Sequence, residues 1–188
     1  MAKDGLKICI RSLGFVDKAL LEEFCRTLSP RTIRLRFFAT VNRICEDVFS
    51  KLLPAYHHDN VLLLATTRER DGREQVVGLF SLVCDDSGKV GEFSLLVGDP
   101  WQGRGIGRKL LQHGLVHADA RGIGVVWGMC LPENTHALAL ARKMGFITRW
   151  DSQENAYFLR LESASSGKVL TRSHPISGRT VQFPNSIA

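Results

Sequence analysis

The chain has 188 residues, 44% of them apolar and 23% charged, with a formal net charge of +6 and a sequence pI near 9.3. That length suits one domain with a sizeable core and excludes two ordinary ones, and the composition is that of a soluble globular protein. No apolar run approaches the roughly 20 residues that a bilayer demands, and the opening MAKDGLKICIRSLG lacks the apolar stretch of a secretory signal, so a cytoplasmic protein with no membrane contact is expected.

In chain order, Lys7 to Leu13 alternates weakly and predicts a first strand. Asp17 is placed to N-cap a helix running to about Leu28. Ser29-Pro30 ends that helix and starts a second, with Pro30 at its first position and Ile33, Phe37, Phe38 and Val41 at the spacing of one helical face. Ile44 to Leu53 predicts a short third helix stopped by Pro54. The period then changes. Asn60 to Thr67, Gln75 to Cys84 and Lys89 to Val97 read as strands, separated by turns at Asp71-Gly72 and Asp85 to Gly88, and three strands joined so tightly make an antiparallel meander. Ile106, Leu110, Leu111, Leu115 and Ala118 form the inner stripe of a helix that ends near Gly122. Val125 to Leu131 is a strand, Thr135 to Met144 a helix, and Phe146 to Trp150 and Ala156 to Leu161 are strands. Residues 163–188 are rich in Ser, Gly and Pro and read as a poorly ordered extension, in which Val181 to Phe183 has the makings of an edge strand.

Five cysteines, at 9, 25, 45, 84 and 130, form no C-x-x-C pair and have no histidine at ligand spacing, so free thiols in a reducing compartment are expected. His57-His58 and the His113, His117 pair lack the further ligands a metal requires, and no metal is expected. Positive charge concentrates in two places. Arg26 to Arg43 holds five arginines and no carboxylate, and the tail after Glu162 holds Lys168, Arg172 and Arg179 with no acid. These are either solvated surfaces or an attraction for a polyanionic cofactor or acidic partner. Nucleic acid is not the expected partner, because the basic stretch carries no recognisable binding motif.

The informative segment runs from Val97 through Gly-Asp-Pro-Trp-Gln-Gly-Arg-Gly-Ile-Gly to Arg108-Lys109. A strand passes straight into a helix through glycines at alternate positions, 103, 105 and 107. Missing Cβ atoms let a ligand approach the backbone, and the amides at a helix start, aided by the helix dipole, favour a diphosphate. Arg104, Arg108 and Lys109 add positive charge. A dinucleotide fold would need a third glycine at Arg108, and a P-loop would need Gly-Lys-Ser/Thr, which is absent. The remaining pattern is Gln/Arg-x-x-Gly-x-Gly/Ala, and Gln102-Gly103-Arg104-Gly105-Ile106-Gly107 fits it fully.

That hexapeptide resembles the pyrophosphate loop of the GNAT superfamily, and the resemblance extends over roughly residues 6–162. Asn134-Thr-His-Ala137-Leu-Ala-Leu140-Ala-Arg-Lys-Met-Gly145-Phe146 is similar to a second signature of that family. Asn134 suits a helix cap, a pantetheine contact, or both, and Gly145 suits the residue just past a helix end. The resemblance implies a mixed α/β fold with a mostly antiparallel sheet of about seven strands, splayed at a cofactor cleft and flanked by four to five helices. It implies acetyl-CoA as cosubstrate, held by the backbone of Leu95, Leu96 and Val97, by Gln102, Gly103, Arg104, Gly105, Ile106, Gly107 and Arg108, and by Asn134. Leu28 to Phe38 and Gly91-Glu92-Phe-Ser look most like the catalytic domains of bacterial Pat-type protein-lysine acetyltransferases, here without their large acyl-CoA-synthetase-like region.

Acyl transfer to an amine needs a base, because a free lysine amine titrates near ~10.4. The resemblance implies that Glu92 is that base, and strand alternation puts Glu92, Ser94 and Leu96 on one face. Where many members of the family carry a tyrosine that protonates the leaving thiolate, this chain has Ala141, which leaves the general acid unassigned. Cys130 ends a strand beside the cleft and reads as a structural thiol, although an acyl-cysteine route is conceivable. The expected function is acetyl transfer to a primary amine, on a protein lysine or a small molecule, by a monomer or homodimer. The rival is a non-catalytic acyl-CoA sensor.

Overall fold

A computed structural model of the protein describes residues 7–38, 60–69 and 71–163. The predicted helix at Ile44 to Leu53, His57-His58, Val41 and the possible strand at Val181 to Phe183 lie outside the described residues. So does the extension, except that Ser163 docks its amide on Gly124 O at 2.9 Å and its hydroxyl on Asp119 at 2.8 Å.

Seven strands form one sheet: β1 (Cys9–Ser12), β2 (Val61–Arg68), β3 (Glu74–Cys84), β4 (Val90–Val97), β5 (Val125–Cys130), β6 (Ile147–Asp151) and β7 (Ala156–Glu162). Their order across the sheet is β1-β2-β3-β4-β5-β7-β6, and every neighbouring pair is antiparallel except β4 and β5. Four α-helices are described: α1 (Lys18–Arg26), α2 (Pro30–Phe37), α3 (Ile106–Ala120) and α4 (Thr135–Lys143). Single 3-10 turns precede α1 at Phe15–Asp17 and α3 at Asp99–Trp101.

Alternation along the strands divides the core in two. On one face Leu63, Ala65, Val77, Phe80 and Val126 pack under α3 and α4 through Ile106, Leu110, Leu111, Leu138 and Ala141. On the other, Leu62, Leu64, Val76, Leu79 and Leu96 pack under α1 through Leu21, Phe24 and Cys25. Full burial of each Val, Leu, Ile or Phe side chain here contributes about 1.5–3 kcal/mol. Gly114 lets α3 settle directly on the fully buried Phe80 ring; a Cβ there would sit inside contact distance of that ring.

Local departures from the sequence reading have long-range causes. Asp17 occupies the N-cap position of α1 but its side chain does not cap it. The carboxylate is instead buried against Arg11, at 2.8 and 2.7 Å, and accepts the Gly14 amide at 2.7 Å. The helix ends at Arg26, two residues short of Leu28. Likewise α2 stops at Phe37. Phe38 adopts φ 63° as its left-handed C-cap and lies exposed, so it does not share the apolar face with Ile33 and Phe37. The other predicted strands and helices are present, with ends moved by one or two residues.

Candidate active site

β4 and β5 pair as parallel strands over three rungs only, Val90 with Val125, Gly91 with Val126 and Glu92 with Trp127. β4 continues to Val97 and β5 to Cys130, so the two strands part beyond Glu92 and open a fork in the middle of the sheet. At its apex Gly128 allows a close approach: a Cβ there would lie 3.0 Å from Phe93 O and 2.8 Å from its ring. Leu95, Leu96 and Val97 line the open edge of β4, with their other edge laddered to β3.

The glycine-rich turn stands at the far end of β4. Gly103 and Gly105 have φ of 74° and 84°, in the left-handed region that glycine occupies at no cost, and a Cβ at either would meet nothing within 4 Å. Their need for glycine is conformational, and they face open space. Gly107 differs: it lies inside α3, where a Cβ would touch Leu95 at 3.4 Å and Val97 at 3.6 Å. Ile106, Gly107 and Arg108 begin α3, so their amides have no acceptor within the helix. The Gln102 amide, which the sequence reading assigned to the anion site, donates to Asp99 O at 3.3 Å. Arg104 stacks over Trp101 with 5.2 Å between its guanidinium carbon and the ring centre.

A compact network ties this turn to α2. Asp99 accepts the Ser29 hydroxyl at 2.6 Å, the Ser29 amide at 2.9 Å and the Thr32 hydroxyl at 2.8 Å. Burial pushes this carboxyl up, but the hydrogen bonds from Ser29 and Thr32 outweigh it and hold it below the usual range. Ser29 also caps α2 by accepting the Thr32 amide. Gln102 Nε2 donates to Thr32 Oγ1 and to Val97 O, both at 3.1 Å. The side chain of Gln102 is therefore a brace between the turn, α2 and β4.

Glu92, Ser94 and Leu96 do share one face of β4, and it is the α1/α2 face, opposite α3. Glu92 is half-buried at the last rung before the fork. Burial raises its carboxyl above the usual value, and the nearby Arg36 guanidinium partly offsets this. Arg36, half-buried on α2, donates to Ser94 Oγ at 2.6 Å, and Ser94 lies 2.8 Å from the hydroxyl of Ser81 opposite it on β3. At the open end of the fork, Arg34 of α2 pairs with Glu133, in the loop after β5, at 2.6 Å.

Asn134 Oδ1 accepts the Ala137 amide at 3.2 Å and caps α4, and Gly145, with φ 89°, lies just past its end. Ala141 is buried in the core and offers no proton. Cys130 is buried, faces the α3/α4 side, and has its thiol pushed up to about 11 by burial and then by Glu133. Among the described residues no cluster of three potential metal ligands occurs, and no helix is long and apolar enough to cross a membrane.

Residues 23–146 match the model of the Acetyltransferase (GNAT) family, which is more than half of the chain. The chain belongs to the GNAT family. It is therefore an N-acetyltransferase by descent, and the forked sheet with a glycine turn after β4 is the family fold. "Acetyltransferase PA5475" of Pseudomonas aeruginosa is 24% identical over 153 residues, 81% of each chain. Among solved structures the GNAT domain of S. lividans PAT has a TM-score of 0.70 at 21% identity, covering 86% of this chain and 94% of its own. The acetyltransferase yncA from Salmonella typhimurium, solved with acetyl-CoA, has a TM-score of 0.61 at 19% identity, covering 92% and 99%.

Within this GNAT chain, sequence reasoning singled out the turn and Glu92 but not three residues that the fold places beside them, Asp99, Gly128 and Arg36. Asp99 was signalled only by Asp-Pro before the turn. Gly128 was signalled as a lone glycine inside a strand, which often marks a close backbone approach. Arg36 had no local signal, since its partner Ser94 is 58 residues away.

Proposed function

We propose that the protein transfers the acetyl group of acetyl-CoA to a primary amine by direct attack within a ternary complex, with Glu92 as general base. The observation that carries this reading is the position of Glu92: a half-buried carboxylate at the apex of the fork, on the face opposite the glycine turn. The diphosphate would rest on the amides of Gly103 to Arg108, helped by Arg104 and Arg108. The pantetheine arm would add to the open edge of β4 at Leu95, Leu96 and Val97, as a peptide adds to a sheet edge. Asn134, its oxygen engaged in the cap, would offer its amide nitrogen to that arm.

An ammonium acceptor gives one proton to the Glu92 carboxylate, directly or through water. The neutral amine then forms an N–C bond to the thioester carbonyl, the tetrahedral intermediate collapses, and the C–S bond breaks. Coenzyme A leaves as a thiolate and takes up the second proton shed by the nitrogen, directly or through water, so no tyrosine at position 141 is required.

Glu92→Gln tests the assignment. A general base contributes about 10²- to 10⁴-fold, so turnover should fall by that factor while acetyl-CoA affinity is kept. Because the folded carboxyl is raised, wild-type kcat/KM should decline on the acid side through a pKa above 4.5, and the variant should lack that limb. Undiminished turnover in the variant would exclude Glu92. The second reading, an acyl-CoA sensor, is favoured by the buried Ala141. It would win if acetyl-CoA binds and no amine or protein lysine is ever acetylated.

A further inference from the structure

The α1/α2 face of the fork carries two opposite charges that do not neutralise each other by contact. Arg36 and Glu92 influence one another through space, yet no ion pair is found between them. Arg36 is anchored on Ser94, and Ser94 lies two residues from Glu92 on the same strand face, about 7 Å along β4. Only one guanidinium nitrogen is engaged by Ser94. Among the described residues no sealed side-chain nitrogen or oxygen lacks a partner, so the remaining N–H groups of Arg36 keep some access to solvent although burial is the main influence on this guanidinium. A cation with unfilled donors and an anion on the same face, not in contact with each other, complement a zwitterion. Among the described residues, the nearby acid Glu133 is taken by Arg34, and Glu162, two strands away from Glu92, is taken by Arg160. The Arg34–Glu133 pair also spans the fork on this side, which suits a compact acceptor better than a folded one.

We propose that the acceptor is an amine carrying a carboxylate beside its amino group, a free amino acid in the simplest case, with Arg36 binding the carboxylate and Glu92 receiving the ammonium. Arg36 suits the role because its planar fork matches a carboxylate with two parallel N–H donors. This rests on the reading of Glu92 given above and narrows its acceptor class.

The experiment compares each of the twenty free amino acids with its carboxamide, and with a lysine-containing peptide, in wild type, Arg36→Gln and Arg36→Lys. One charge-assisted hydrogen bond is worth about 10-fold or more in specificity. Wild type should favour at least one free amino acid over its amide by that factor in kcat/KM. Arg36→Gln should bring the ratio near one by raising acceptor KM, with acetyl-CoA KM unchanged, and Arg36→Lys should restore part of it. The acid-to-amide comparison in wild type holds even if a variant fails to fold. Equal or better use of amides or the peptide overturns the proposal, as does a uniform loss for all acceptors in a folded Arg36→Gln. Calorimetry of the same amino acids on CoA-saturated protein separates the two readings. Binding that depends on Arg36 without any turnover would keep this proposal and sink the catalytic one. Turnover without carboxylate preference would do the reverse, and absence of both would sink both.

Discussion

Replacing Gly105 with alanine separates a ligand site from a mere bend in the chain. At φ 84° an L-residue costs about 1–2 kcal/mol, and the new Cβ meets no protein atom within 4 Å. The fold should therefore survive, with Tm lowered by about 2–8 °C for a domain of this size. A diphosphate approaching these amides would meet the methyl group directly. Loss of one charge-assisted hydrogen bond, about 1.5–3 kcal/mol, should weaken acetyl-CoA binding on the order of 10- to 100-fold. Gly88 supplies the control. It has φ 64° and equally open surroundings, but it sits in the β3–β4 turn at the opposite end of β4. Gly88→Ala should show a similar loss of Tm and an unchanged Kd by calorimetry. Equal affinities for acetyl-CoA in the two folded variants would refute the assignment of the turn as a diphosphate site.

Asp99→Asn keeps the size of the side chain but removes the charge that holds Ser29 and Thr32, so it should lower both the Tm, by several degrees on the scale of about 2–4 °C per kcal/mol, and the acetyl-CoA affinity, read by melting and calorimetry together. Asp17 and Glu74 are held below their usual values chiefly by hydrogen bonds from Arg11, so the stability they contribute is present at neutral pH and is lost as pH falls below about 4.5 through their folded values. Arg11→Gln should flatten that acid-side decline in urea midpoints measured against pH. With its thiol near 11, Cys130 is ionised at neutral pH on the order of once in ten thousand molecules, so Cys130→Ala should keep turnover and no acyl-enzyme should appear by mass spectrometry.

Period and turn chemistry were enough to read the strand order up to the fork, because Asp71-Gly72, Asp85 to Gly88 and the alternating glycines mark where each element stops. The second signature was legible for the same reason: Asn134 and Gly145 act within one helix and its ends. What local pattern could not carry was side-chain choice between a near and a distant partner. Asp17 had a cap within reach and took Arg11, which also binds Glu74, 63 residues away in sequence. The side chain of Gln102 likewise braces Thr32, 70 residues back, and Val97 O, which its place in the motif did not reveal. In both cases the polar group went to a partly buried site, where a missing partner costs more than it would in water.

The two faces of the sheet also bear on the order of the reaction. The glycine turn opens α3 and Cys130 faces the same side, whereas Glu92 and Ser94 lie on the other, where Arg36 of α2 reaches Ser94. With Glu92 as the proposed base, an acyl-cysteine route would require the acetyl group to settle on the α3 side, on a thiol that stays protonated, and then to await an amine deprotonated across the sheet. Direct attack requires only that the thioester carbonyl reach the apex, where β4 and β5 have just parted and both faces meet. The Asp99 network gives that arrangement its rigidity, since the carboxylate fixing the approach to the glycine turn also holds the first turn of the helix that carries Arg36. A shift of the turn would be felt on the face of Arg36 and Glu92 through Ser29 and Thr32.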